Sequence, residues 1–185
     1  MKFINFLIII FITFPSTIKA DSFKELKKEL LEGNKLIFIR HAYAPGGGDP
    51  DNFDINDCNT QRNLSDRGKK QADKIKNFFI ENKIVNNVVF SSEWCRCKET
   101  ASLAFGKFKT KKFLNSFYSS KFAKNKTKQI KELKRYVQSF DENKNLILVT
   151  HYVVISEVLD YAPSSGEIVI SDKNFNKIGS IKISY

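Results

Sequence analysis

Histidine is almost missing from this chain, with two in 185 residues, and only five of its 31 basic residues are arginine. There are one tryptophan, four prolines and three cysteines. Each shortage excludes something. Cys95 and Cys97 stand two apart, Cys58 is distant, and no histidine is near them, so the spacing is not that of a zinc site. No linker, repeat or low-complexity block divides the chain, which leaves one domain as the expectation. The basic runs KFKTKK and KFAKNKTKQIKELK are lysine-rich and contain no nucleic-acid-binding motif, so they read as solvated surface and nucleic acid is not an expected partner. The long apolar run, Phe3 to Phe14, is too short to span a bilayer comfortably.

That run has Lys2 before it and Pro15, Ser16 and Ala20 after it, the pattern of a secretory signal cleaved after Ala20. An exported protein, periplasmic or secreted and without a stable membrane span, is therefore expected, with residues 21–185 as its single domain. Removing residues 1–20 takes away Lys2 and Lys19 and no acid. This leaves 29 basic against 20 acidic groups, a formal charge of +9. Such a balance favours anionic partners: phosphorylated small molecules, acidic or phosphorylated glycans, or an anionic surface. In an oxidising compartment three cysteines allow one disulfide and one thiol. Cys95 and Cys97 diverge on a helix, so Cys58 is expected to pair with one of them.

Element by element, DSFKELKKELLEGN predicts an amphipathic helix capped at Asp21 or Ser22 and stopped at Gly33. Lys35 to Arg40 predicts a strand. The segment HAYAPGGGDPDNFDINDCNTQR has no period and is too long for a passive connection. A helix capped by Ser65 follows, then the strand NNVVFSS, the helix EWCRCKETASLAF, a short strand near KKFLNSF, the helix KTKQIKELKRYVQSF, the strand NLILVTH, the helix VVISEVLDYA and a terminal hairpin turning at Asn174 to Asn176. Alternation of this kind predicts a three-layer α/β sandwich: a mostly parallel central sheet, helices on both faces and an antiparallel C-terminal edge.

Both histidines fall where an α/β sheet binds ligands, beyond the carboxyl ends of strands. Arg40 and His41 end one strand, Thr150 and His151 another, and Ser91 and Ser92 precede the helix start that bears Arg96. Two imidazoles, two guanidinium forks and a helix amino terminus make a fitting receptor for a phosphoryl group. Arg62, in TQRNLS, is a further candidate contact with phosphate or substrate; Arg67 lies away from the strand ends.

At these residues the chain resembles the histidine phosphatase superfamily, also called phosphoglycerate mutase-like. IRHA matches its R-H-G strand end, NLSDRGKKQA its L-[ST]-x-x-G-x-x-Q-A segment, FSSEWCRCKETA its S-S-x-x-x-R-x-x-x-T-A segment, and LVTHYVVI its second-histidine strand. The resemblance covers roughly Lys35 to Ile155. It implies a phosphatase without metal or cofactor, in which His41 is the nucleophile of a phosphohistidine intermediate, Arg40 and Arg96 hold phosphoryl oxygens, and His151 completes the pocket. The rival reading is a catalytically silent protein that keeps the anion pocket for a phosphorylated glycan or lipid. Three departures stand out: Ala42 replaces the usual glycine, Asn115 stands where many members carry an acid, and Tyr152 stands where others do. Glu167 is the first candidate for the general acid, with Asp49 and Asp57 next.

Overall fold

The computed structural model describes residues 18–185 except 86, 141 and 142, with side chains from residue 23 onward. Six strands form one sheet: β1 (Leu36–Arg40), β2 (Asn87–Ser91), β3 (Lys109–Thr110), β4 (Asn145–Thr150), β5 (Ile168–Ser171) and β6 (Lys177–Ile181). Six helices accompany them: α1 (Ile18–Glu32), α2 (Asp66–Glu81), α3 (Cys95–Phe105), α4 (Ser120–Ala123), α5 (Lys126–Ser139) and α6 (Tyr152–Leu159). The strand order is β3-β2-β4-β1-β5-β6. The first four in that order run parallel, β5 pairs antiparallel with β1, and β6 pairs antiparallel with β5, giving the antiparallel C-terminal edge that the alternation of segments predicts.

The middles of the central strands are apolar on consecutive residues because both faces of the sheet are covered. Ile37, Ile39, Ile147, Val149, Ile168 and Ile170 point to one side. There they meet Leu26 and Leu30 of α1, Ile75 and Phe79 of α2, and Ala101 of α3. Leu36, Phe38, Leu146, Leu148 and Val169 point to the other side, against Leu133 and Val137 of α5 and Ile155 of α6. Strand periodicity thus sorts one continuous apolar run into two cores.

Four elements differ from expectation. Residues 1–17 of the expected signal segment lie outside the described residues. Among the described residues α1 already includes Ile18–Ala20, upstream of the cap expected at Asp21 or Ser22, and Lys19 and Ala20 favour helix. The third strand is two residues long and lies upstream of KKFLNSF. That segment forms a 3-10 turn over Lys112–Leu114, in which consecutive Phe113 and Leu114 both enter the same core, as a strand's alternation would not allow. α4 has no counterpart in the reading of the sequence. The hairpin turn begins earlier than expected: the Asp172 carboxylate accepts from the Asn174 and Asn176 amides and organises the reversal around itself.

What positions the strand ends is the seating of the chain just after His41. The His41 amide donates to Thr150 O at 2.9 Å and the Ser92 amide to Val149 O at 2.9 Å, so the ladder continues past β1 and β2. Ala42 N donates to Thr100 Oγ1 of α3, Tyr43 N donates to Gln71 Oε1 of α2, and Tyr43 O lies against Gly68. The L-S-x-x-G-x-x-Q pattern therefore has a mechanical reason. The Ser65 side chain caps α2 by accepting from Gly68 N, Gly68 admits the Tyr43 carbonyl, and Gln71 bonds the same residue.

A Cβ on Gly68 would lie 2.0 Å from Tyr43 O, whereas one on Gly47 would meet nothing within 4 Å. Gly68→Ala is therefore expected to cost about 1–3 kcal/mol, as overpacking does, and Gly47→Ala less than ~0.5 kcal/mol. Urea denaturation of both variants is the check, and equal midpoints would contradict this account of the motif.

Candidate active site

β4 lies between β1 and β2, so His41 and His151 leave adjacent parallel strands side by side. Their ring centroids are 5.5 Å apart, and each residue is only 2% exposed. His41 Nδ1 lies 2.8 Å from the Ala42 carbonyl, which can only accept. The proton is therefore on Nδ1, and Nε2 keeps its lone pair. Burial, reinforced by the positive charge of Arg96, holds the His41 pKa well below its ordinary value, so the ring is neutral.

His151 is set in the same way from the opposite side. Arg96 Nη2 lies 3.5 Å from its Nδ1, leaving the proton on Nε2, 3.0 Å from Ser92 Oγ. Ser92 Oγ in turn donates to Asn115 Oδ1 at 3.1 Å, and Asn115 Nδ2 donates to Glu93 at 2.7 Å. Asn115 thus anchors the bond that orients the second histidine. Burial and Arg96 also depress the His151 pKa well below its ordinary value.

Arg96, in the first turn of α3 and 3% exposed, joins these groups. Its Nε donates to His41 Nε2 at 3.2 Å, and its Nη1 and Nη2 donate to the two carboxylate oxygens of Asp49 at 2.6 and 3.2 Å. Asp49 also accepts from Trp94 Nε1 at 3.0 Å and from Arg62 N at 3.1 Å. Burial works against its charge, but the Arg96 bond and charge, with Trp94 and the Arg62 amide, hold its carboxyl below the usual range.

The loop from Ala42 to Ser65 closes over these groups. Arg62 donates from Nε to Gly48 O at 2.8 Å and from Nη1 to Ala44 O, so it braces the loop and also lines the cavity. A disulfide joins Cys58 to Cys95, resolving the open choice of partner, and Gln61 Oε1 accepts from Cys95 N at 2.9 Å beside it. Cys97 is free and buried next to His151, its thiol pushed up to about 12 by burial.

A cavity of about 360 Å3 opens above the strand ends, lined by Arg40, His41, Arg62, Arg96, His151 and Asp49. Arg40 spends one donor on Pro163 O at 2.8 Å, while its buried Nε has no partner. The rim is aromatic, with Phe53, Trp94, Phe122, Tyr118 and Tyr152, and carries Lys121. Arg40, His41, Arg96 and His151 therefore converge here, and Arg62 with them.

Two carboxylates do not. Glu167 is 1% exposed and is not among the cavity-lining residues; its oxygens accept from Tyr161 Oη at 2.6 Å and Ser164 N at 2.8 Å. Burial would raise its pKa, yet these bonds bring it below the ordinary value. Asp57 caps the 3-10 turn at Cys58–Thr60 from the exposed surface. Arg67 stacks on Tyr185 and Tyr43, away from the cavity as expected. The Asp49, Trp94 and Gln61 contacts join residues 34 to 47 apart in sequence, and only the disulfide from Cys58 hinted that this loop and α3 meet.

Both histidines are held neutral in the fold, while the unfolded chain protonates them near pH 6.5. Below that pH the unfolded state binds more protons, so stability is present above it and falls as pH drops, by up to about 2.7 kcal/mol per pH unit for two such groups. Denaturant unfolding from pH 7 to 5 checks this. His151→Gln is expected to remove about half of the slope, and a flat profile in the wild type would contradict two neutral, buried imidazoles.

No family model matches the sequence, and no curated protein matches it. Solved structures do. TTHB049 from Thermus thermophilus superposes with a TM-score of 0.58 at 15% identity, over 81% of this chain and 99% of its own. Phosphoglycerate mutase from the same organism gives 0.56 at 15%, over 81% and 99%. The protein histidine phosphatase SixA, complexed with tungstate, gives 0.54 at 14%, over 81% and 96%. The chain thus shares its fold with a phosphoglycerate mutase and a protein histidine phosphatase.

Proposed function

We propose that this protein is a metal-independent phosphatase that hydrolyses phosphate esters or anhydrides through a phosphohistidine on His41. The observation that carries the reading is the pairing of a neutral His41, its Nε2 lone pair turned to the Arg96 guanidinium, with a buried, unpartnered Arg40 donor on the same cavity. A solved protein of this fold holds tungstate, a tetrahedral oxyanion like phosphate. Export through residues 1–20 is part of the proposal, and the Cys58–Cys95 disulfide agrees with an oxidising compartment.

Chemically, Nε2 of His41 attacks phosphorus and the bond to the leaving oxygen breaks. Water then attacks the phosphohistidine, freeing phosphate and restoring the imidazole. Charge on the transferred group gathers on its equatorial oxygens, where Arg40 and Arg96 supply positive charge on the same cavity. Low dielectric strengthens those contacts, and the Ala42 carbonyl keeps the attacking nitrogen unprotonated.

The reading is tested with the purified protein on p-nitrophenyl phosphate, with and without chelator. Expected are turnover that the chelator leaves unchanged, a loss of at least about a thousandfold in His41→Ala, and acid-labile, base-stable phosphate labelling absent from that variant. Anion binding without turnover of any phosphate would favour the silent binding protein instead.

A further inference from the structure

We propose that Asp49 is the proton donor to the leaving oxygen, and that the incoming phosphoryl group makes it one by taking its place on Arg96. The inference rests on the phosphatase reading. It begins from a conflict in the geometry. Asp49 grips the terminal nitrogens of Arg96 with both carboxylate oxygens, the two-point contact that a phosphoryl group seeks. The remaining Nε of the same guanidinium lies on His41 Nε2. A phosphoryl group brought to His41 and onto that fork meets a carboxylate already there, and two anions cannot share the fork without one moving away or taking up a proton.

The loop is built to let Asp49 move. Gly46 and Gly48 have φ of +86° and +73°, and a Cβ at position 47 or 48 would meet nothing within 4 Å, so the outer side of this arm is open and it swings once Arg62 lets go of Ala44 O and Gly48 O. The far side of Asp49 is tied by Cys58–Cys95 and by Gln61 on Cys95 N, which confines the motion to a swing of the glycine arm. Among the described residues Asp49 is the carboxylate that holds the Arg96 fork. Glu167 is bonded elsewhere, Glu93 faces a separate cavity beyond Trp94, and Asp51, exposed on the same loop, is the other carboxylate on this one.

The charged and titratable groups that line the cavity with Asp49 come from several elements. Arg96 comes from α3, Arg62 and Asp51 from its own loop, and Lys121 from α4. Arg40 and His41 come from the end of β1, and His151 from the start of α6. With a dianion bound, the arginines serve the phosphoryl oxygens, and Asp49 exchanges its ion pair for an anionic neighbour. Its proton affinity therefore rises on binding. In the first half-reaction the Nε2–phosphorus bond forms, the bond to the leaving oxygen breaks, and that oxygen takes the proton of Asp49. In the second half-reaction water attacks phosphorus, its proton returns to Asp49, and the nitrogen–phosphorus bond breaks. As phosphate leaves, Asp49 releases the proton to solvent and closes again on Arg96.

Asp49→Asn keeps the volume and an acceptor for Arg96, and is compared with wild type on an alkyl ester, glycerol phosphate, and on p-nitrophenyl phosphate. The expected result is a loss of about 100- to 10,000-fold on the alkyl ester and less than about tenfold on the activated one, whose leaving group needs no proton. Equal losses on both esters, or no loss, would overturn the role. Independently of turnover, calorimetry with tungstate at mildly alkaline pH, in two buffers of different ionisation heat, is expected to show proton uptake by the wild type that Asp49→Asn lacks. Zero uptake in the wild type, or equal uptake in both, would overturn it. If the wild type turns over neither ester, the phosphatase reading fails and the donor role with it. If turnover needs His41 but Asp49→Asn behaves as wild type, only the donor role fails.

Discussion

One guanidinium holds the site together. Arg96 is buried at the start of α3, and its donors reach His41, His151, Asp49 and the Arg62 carbonyl. A buried charge is stable only when its partners are all in place, and removing one partner of such a pair costs about 3–5 kcal/mol. The sheet brings the two imidazoles together, the disulfide and Gln61 fix the first turn of α3, and Asp49 neutralises the charge. The same positive charge, added to burial, helps keep both histidines neutral. Structure and chemistry therefore depend on one contact set.

The scaffold around that contact is made from ordinary parts. Two apolar layers clamp the sheet, and the strand ends carry the polar groups outward where no core is needed. Gly68, Gln71 and Thr100 hold the backbone just after His41, so His41 stands on a fixed support. The long loop is the contrasting part. It is irregular and glycine-rich at Gly46–Gly48, and it is attached to α3 by a covalent bond and several side-chain bonds. A rigid base with a tethered, hinged cover suits a reaction that needs both fixed charge and the entry of an anion.

Much of this was legible in the sequence because it rests on local patterns. Apolar runs mark β1, β2 and β4, Ser65 marks the cap of α2, and the ends of those runs deliver Arg40, His41 and His151. Cys58 pointed to the loop's attachment beside Arg96. What escaped was non-local. Glu167 follows a loop near the site in sequence, yet its carboxylate turns to Tyr161 and Ser164, since three-dimensional bonding decides where a buried acid points. Asp49 looked like one of several loop acids, and only the folded distance to Arg96 singles it out. KKFLNSF has strand-like composition, but placing both Phe113 and Leu114 in the same core beneath the end of β4 requires a turn.

The central claim is that the Arg40, His41, Arg96 and His151 groups form a single oxyanion receptor that Asp49 occupies until an anion arrives. A crystal structure of the protein with bound tungstate tests it most directly. The account predicts the oxyanion against His41 Nε2, its oxygens on Arg40 and the Arg96 fork, and the Asp49 carboxylate withdrawn from Arg96. An oxyanion bound elsewhere, or one bound here with Asp49 still paired in its original geometry, would contradict it.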